Sequence, residues 1–420
     1  MMCAVWKDAS DLLSVEKARM KVLIVNDFDQ RVGGVETYCH RLETLLRDAG
    51  YQVRYVGGTY TKDMLKRFVS SLANFEFVRR IKKELKEFEP DIVHVHSISA
   101  NVSPLFMRAI KRRNIPIVMT VHGFSHYVCP QLWMMQETKY RCETGFAIRC
   151  LGLKCHPDMG LLPRVMFFGR TWVHRRSIRK YVDVFVAPSR ILGDYLTRNL
   201  GVREVWVVPL YVDTRNGEVL RRETPGQSIL SVGRLSKEKG LEYLIAAIPQ
   251  IAKVCPEVQL HIVGEGRRTC LEEYAAKLGE DVRRRVFFHG YIGNNQELRK
   301  FYNEASVFVL PSVCMEAFGL TLLEAMSNGV PVITTNIGGQ AELVQPGFNG
   351  VLVRPRDSGQ LADTLIGLLN NPDALSKLSV NAFEYAQGFD SRHHLCQIND
   401  IYRSALVAHD KMLEDDASND

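Results

Sequence analysis

"SVFVLPSVCMEAFGLTLLEAMSNGVPVITT", residues 306–335, decides the fold class. The run 306–312 is short, apolar and β-branched, and predicts a buried strand. Residues 319–329 carry apolar side chains at helical spacing, and Gly329 and Pro331 mark where that helix stops. A second β-branched run follows at 330–335. Strand, helix and strand make a βαβ unit, whose two strands run parallel because only a crossover joins them that way. Two carboxylates frame the helix start. Glu316 stands in the loop before it, and Glu324 stands about one turn inside. Helical side chains lean toward the N-terminus, so both carboxylates can reach a ligand held there. Carboxylates accept hydrogen bonds in pairs, which suits vicinal hydroxyls of a sugar or ribose, and the free N–H groups of 319–321 suit phosphate. The alternative is two solvated charges. The apolar flanks Phe318, Leu320, Leu322, Leu323 and Met326 argue against it, since burying an idle carboxylate is costly.

The same grammar extends outward. Toward the C-terminal side of the chain, strands are expected at 228–234, 258–266 and 285–291, with helices at 240–254 and 296–305. Nearer the start, strands are expected at 21–27, 51–57, 90–97, 115–123 and 182–189, and a helix at 37–50 ends on Gly50. Repeated β-α units of this kind predict an α/β protein of two Rossmann-like, doubly wound domains facing across a cleft. The expected partition is an extension at 1–19, an acceptor-binding domain at 20–205 and a nucleotide-sugar-binding domain at 206–388. A returning helix at 389–410 and a flexible tail at 411–420 complete it.

The bulk properties agree with a large globular protein: 420 residues, 46% hydrophobic and 24% charged. The net charge of +7 hides an asymmetry, because residues 1–200 hold 32 Lys and Arg against 19 Asp and Glu. A basic half points to an anionic partner or to a solvated basic face. No apolar run has the length and freedom from breakers of a membrane helix, and no secretory signal stands at the start. Ten cysteines in so long a chain do not make a disulfide scaffold, and a reducing, cytoplasmic location is expected.

"VGRLSKEKG" (232–240) places Arg234 and Lys239 between a strand end and a helix start. Two cations there form an anion site suited to a diphosphate, or a pair of surface salt bridges. It is not a Walker A loop. "VGEGRRT" (263–269) offers Gly264 and Gly266 after a strand but lacks the third glycine of a dinucleotide fingerprint.

These segments together, "VGGVETY", "TVHG", "VAPS", "VGRLSKEKG", "IVGEG" and "EAFGLTLLEAMSNGVPVITT" with "GGQAELVQPGFNGVLV", resemble glycosyltransferase family 4, retaining enzymes of the GT-B fold. The resemblance spans roughly 20–405. It implies that Arg234 and Lys239 hold the donor diphosphate, that Glu316 binds hydroxyls of the transferred sugar, and that Glu324 binds the ribose. It further implies that Phe318, Gly319, Leu320 and Thr321 cradle sugar and phosphate and that Tyr291 and Ile292 meet the base. Gly33, Gly34 and Gly264 would lie against the donor, and His122 would stand near the reacting centre. The implied reaction moves a sugar from a nucleoside-diphosphate donor to a glycan or polyprenyl-linked acceptor, in cell-surface polysaccharide or glycoconjugate synthesis, without a cofactor or catalytic metal. A nucleotide-sugar 2-epimerase of the same fold and a non-catalytic sugar-nucleotide-binding protein are the competing readings. The chain departs from the family pattern in two places: Leu210 and Tyr211 before the interdomain aspartate, and Gly123 after His122, where many relatives carry Asp.

Two further segments stand outside that pattern. Cys129, Cys142, Cys150 and Cys155, in an insertion at 129–156, suit a structural zinc site, a set of reduced structural cysteines, or redox chemistry; their gaps are looser than CxxC pairs. The stretch 164–183 mixes Val165, Phe167, Phe168, Trp172 and Val173 with basic residues. It suits either a peripheral contact with an anionic membrane or a helix with a wet basic face. No motif points to nucleic acid.

Overall fold

The computed structural model describes residues 20–29, 33–59, 63–98, 101–124, 160–212 and 226–417. The extension at 1–19 and the four clustered cysteines lie outside these residues. The chain divides into two units: the described residues up to Val208 together with those from His394 onward, and Pro209–His393.

The first unit alternates strand and helix: β1 (Lys21–Asn26), α1 (Gly34–Asp48), β2 (Gln52–Gly57), α2 (Met64–Leu72), α3 (Phe75–Glu87), β3 (Ile92–Val95), α4 (Leu105–Lys111), β4 (Ile117–Thr120), α5 (Leu161–Tyr181), β5 (Val184–Ala187), α6 (Arg190–Leu200) and β6 (Val205–Val207). All six strands are parallel, in the order β2-β1-β3-β4-β5-β6. β3, β4 and β5 are buried at every residue, as expected for strands covered on both faces. α5 buries Thr171, His174 and Ile178 but leaves Val165 46% and Trp172 53% exposed, with the Arg176 guanidinium over the Trp172 ring. No helix among the described residues is long and apolar enough to cross a membrane.

The second unit repeats the scheme: β7 (Ser228–Val232), a 3-10 turn at Lys237–Lys239, α7 (Leu241–Ala252), β8 (Gln259–Val263), α8 (Arg268–Lys277), α9 (Glu280–Arg285), β9 (Val286–Phe288), α10 (Asn295–Glu304), β10 (Val307–Leu310), α11 (Leu320–Ser327), β11 (Val332–Thr335), β12 (Gly350–Val353), α12 (Ser358–Leu369) and α13 (Pro372–Gln387). Its sheet runs β12-β11-β10-β7-β8-β9, again all parallel. Counted from β7, that is the 3-2-1-4-5-6 order of a doubly wound nucleotide-binding fold. The core beneath it joins Ile229, Leu244, Ile248, Leu260, Val307, Ile333 and Leu365, none more than 1% exposed.

The last helix, α14 (Ser391–Ala417), begins in the second unit, and from His394 onward it packs into the first. Ile398, Ile401, Tyr402 and Ala405 are fully buried. Tyr51 donates to Asn399 Oδ1 at 2.6 Å, the Tyr402 hydroxyl lies 2.9 Å from His94 Nδ1, and the Tyr38 hydroxyl lies 2.9 Å from His394 Nε2.

Candidate functional site

In an open parallel sheet, ligands bind beyond the carboxyl ends of the strands where the strand order reverses. In the second unit that point lies between β7 and β10, which pair directly. The chain leaves β7 through Gly233 and Arg234 and turns at Lys237–Lys239. That turn is clamped to the loop after β10, where the Val313 N–H donates to the Glu238 carbonyl at 2.9 Å. Residue 240 has to be glycine: its φ is +65°, and a Cβ would fall 2.2 Å from the Pro311 carbonyl oxygen. This close approach carries Lys239 to Glu316, 77 positions away.

The Lys239 ammonium donates to Glu316 Oε1 at 2.6 Å, and the Ser312 hydroxyl donates to the same oxygen at 2.6 Å. Burial pushes the Glu316 carboxyl up, but the Lys239 charge and the hydrogen bonds from Lys239 and Ser312 outweigh it and hold the group below the usual carboxylate range. Lys239 therefore already has a counter-ion. Arg234 does not: it is exposed, with no carboxylate partner among the described residues, and its charge also favours ionised Glu316. Gly233, Arg234 and Lys239 line one small recess with Leu310.

α11 starts beside this pair. Its N-cap is Gly319, which supplies no side-chain cap, so the N–H groups of Leu320 and Thr321 have no intrahelical partner and face outward as donors. Phe318 is buried, with its ring centroid 6.2 Å from that of Phe389. Glu324 is half-buried and accepts from the Tyr302 hydroxyl at 3.4 Å. Gly264 lies against the Gly233 peptide and donates to the Gly290 carbonyl at 2.7 Å. Tyr291, one residue on, is 62% exposed, and Ile292 is partly covered.

A residue that sequence reasoning left unassigned holds the Glu316 loop in shape. Gln340 is fully buried. Its Oε1 accepts from the Glu316 N–H at 2.8 Å, while its Nε2 donates to the Cys314 carbonyl and to Thr335 Oγ1, each at 3.3 Å. Thr335 in turn donates to the Ser312 carbonyl at 2.6 Å. Gly338, with φ +67°, makes room, since a Cβ there would meet Gln340 Oε1 and Glu316 N at 2.7 Å. The usable signal was topological: Ser312 and Thr335 stand at the carboxyl ends of adjacent strands β10 and β11. Gln340→Leu keeps the bulk and removes all three hydrogen bonds. The expected cost is about 1–3 kcal/mol, read as a lower urea midpoint at unchanged m-value; an unshifted midpoint would show that the loop holds itself.

Gly33, Gly34 and His122 belong to the first unit. Gly33 is the extended N-cap of α1, and its carbonyl accepts from the Thr37 N–H at 3.1 Å; residues 30–32 of that loop lie outside the described set. His122 follows β4 and lies against α1, with ring centroids of Tyr38 and His122 5.3 Å apart. Its partner is His96, whose Nδ1 is 3.1 Å from His122 Nε2. Burial pushes the His94 and His122 imidazoles down to about 3 and His96 well below its ordinary value, so all three are neutral near pH 7. Ligand atoms of Cys39, His96 and His122 also lie within 4.8 Å of one another.

Comparison with known proteins bears on this arrangement. The Glycosyltransferase Family 4 model matches residues 32–216, and the model of glycosyl transferases group 1 matches residues 214–385. Phosphatidyl-myo-inositol mannosyltransferase of Mycobacterium leprae is 25% identical over 90% of this chain and 95% of its own length. Other curated relatives match over shorter stretches: the chain spans 63% of the length of glycogen synthase from Mycobacterium tuberculosis, 29% identical over 70% of this chain, and 33% of the length of another relative. Among solved structures, Anabaena HepE in complex with UDP-glucose superposes with a TM-score of 0.64 at 20% identity, over 92% of this chain and 100% of that one. A likeness at that identity speaks for the fold. With the two family models running consecutively through both units, the chain belongs to the group 1 glycosyltransferases, with a family 4 amino-terminal half and the GT-B fold.

Proposed function

We propose that the chain is a retaining glycosyltransferase that moves a sugar from a nucleoside-diphosphate donor to a glycan or lipid-linked saccharide. The observation that carries this reading is the grouping of exposed Arg234, the Lys239–Glu316 pair and the uncapped start of α11 around one switch point. Glycosyl transfer develops negative charge on the departing diphosphate, and preorganised donors aimed at that charge supply most of the rate. Arg234 faces the diphosphate, Lys239 supports it from behind, and the first N–H groups of α11 complete the cradle. Glu316, kept ionised, accepts from hydroxyls of the transferred sugar, and Glu324 from the ribose. Neither is assigned as a nucleophile; the leaving phosphate takes the acceptor's proton on the same face. The charge needed by the leaving group is present in these side chains, so no divalent ion is assigned. The exposed Val165 and Trp172 among the arginines of α5 support an acceptor met at an anionic membrane surface.

The test is a thermal-shift screen of UDP, GDP and ADP, followed by a coupled assay for released nucleoside diphosphate with and without EDTA. One nucleotide is expected to raise stability by about 2.7 kcal/mol at a hundred times its dissociation constant, and release should require an acceptor and survive EDTA. Sugar isomerisation without nucleoside-diphosphate release would favour a 2-epimerase. Binding without turnover would favour a non-catalytic protein, and a strict requirement for Mg2+ or Mn2+ would overturn the metal-free account.

A further inference from the structure

The first unit holds a buried group of histidines that the donor chemistry does not use. His94 is satisfied at both ring nitrogens: Nδ1 is 2.9 Å from the Tyr402 hydroxyl and Nε2 is 2.8 Å from Thr120 Oγ1. His96 lies over it with ring centroids 4.2 Å apart. His96 is fully buried, and it differs from His94 in one respect. Its Nδ1 contacts His122 Nε2 at 3.1 Å, while its Nε2 is buried with no hydrogen-bond partner among the described residues.

That asymmetry decides where the protons sit. A neutral imidazole carries one N–H, so the Nδ1···Nε2 contact has two neutral assignments. If His122 donates through Nε2, His96 must carry its proton on Nε2, which buries an N–H with no acceptor. In the backbone, orphaned buried N–H donors are rarer than under-satisfied acceptors, and an imidazole N–H follows the same asymmetry. If instead His96 donates through Nδ1, its Nε2 is a bare lone pair, the cheaper atom to leave alone. His122 Nε2 is then occupied as an acceptor, and the His122 proton resides on Nδ1. That nitrogen has no partner among the described residues, and the residue is only half-buried. A doubly protonated ring is opposed by burial and by the neighbouring rings of His94 and His394.

We propose that His96 is a positioning residue that fixes His122 as its Nδ1–H tautomer, so that His122 meets its ligand as a hydrogen-bond donor and not as a base. The ligand class follows: an N–H at this place serves an oxygen lone pair, a sugar hydroxyl or a phosphate oxygen. It takes no proton from an attacking hydroxyl. The tautomer stands on hydrogen bonding alone; only its use in glycosyl transfer rests on the function proposed above.

The test uses the full-length protein labelled with 15N-histidine, with long-range 1H–15N spectra to show which ring nitrogens carry protons, and His122→Asn to identify the His122 signals. His122 and His96 are both expected to be protonated at Nδ1, unchanged between pH 5 and pH 8. His96→Phe removes the donor, and the His122 proton is expected to redistribute to Nε2. The kcat should fall about 10–100-fold, the effect of losing one hydrogen bond to a charged group, while the donor KM stays within about twofold. His96→Asn, whose amide stands where Nδ1 stood, is expected to restore the Nδ1–H signature and most of kcat. A wild-type His122 protonated at Nε2 would overturn the proposal. So would an Nδ1–H signature that persists in His96→Phe. Stoichiometric metal recovered with the wild type and lost in Cys39→Ser would overturn it as well, because the same nitrogens would then be ligands. If the signature is found but no sugar is transferred by the wild-type protein, the proposed function fails and the tautomer assignment stands.

Discussion

Lys239→Met is expected to lose about 2 kcal/mol of stability, and about 100- to 1000-fold in kcat, and a second substitution is expected to separate the two losses. The pair it breaks is largely covered, with 18% of the Lys239 side chain and 19% of the Glu316 side chain exposed. Removing one partner of such a pair leaves a charge in a poor solvent, a cost of about 3–5 kcal/mol when burial is complete and less here. Ser312 still donates to Glu316, which softens the loss further. Adding Glu316→Gln removes the stranded charge, so chemical denaturation of Lys239→Met/Glu316→Gln should recover most of the stability. The rate should not recover, because both the cation behind the diphosphate and the sugar-binding carboxylate are gone. If kcat returns with stability, the pair is a structural brace and the assigned roles fail. The pH dependence has a definite sign. The wild-type carboxyl lies below its ordinary value when folded, so its stabilisation is full above the ordinary carboxylate pKa and is lost as pH falls through the lowered value. Without Lys239 that acid limb should move to higher pH.

Arg234→Ala should behave in the opposite way, with a large kinetic effect and almost no structural one. Arg234 is exposed and has no carboxylate partner among the described residues, so its removal should change stability by no more than about 0.5 kcal/mol. As the cation facing the developing diphosphate charge, it should contribute about 2–4 kcal/mol to the transition state, a loss of about 30- to 1000-fold in kcat. Nucleoside-diphosphate release in a coupled assay reads this directly. Turnover within threefold of wild type would remove the diphosphate assignment from Arg234 and place the burden on Lys239 and the α11 N–H groups.

Much of the fold was legible because its local signals agree with its topology. Gly50 and Gly329 have positive φ, 93° and 70°, at the helix ends they were expected to terminate. The buried strands β10 and β11 fall inside the two β-branched runs that frame the central helix. The strands that escaped notice are short. β6 has three residues, and β12 has four directly after the turn at 345–349, too few to show a period. The site was legible as residue types but not as partnerships. Lys239 and Glu316 read as members of two separate constellations, because nothing local reports that a glycine at 240 lets two loops touch. Gln340 is an uncharged side chain after two glycines, and its work is done by contacts across 5 to 26 positions. The missing aspartate after His122 left its partner open, and the partner is His96, 26 positions earlier on the neighbouring strand's end.

The return of the chain into the first unit sets an order of events. Everything in Pro209–His393 is synthesised between β6 and the part of α14 that fills the first unit. Until Tyr402 and Asn399 leave the ribosome, His94 Nδ1 and the Tyr51 hydroxyl have no partner of their own, and the faces that receive Ile398 and Ile401 stay open. The second unit can close its core before α14 is made, whereas the first can do so only after the whole of the second has been synthesised. The first unit is thus completed after the second, and a nascent chain holds it without its returning helix while the whole of Pro209–His393 is made.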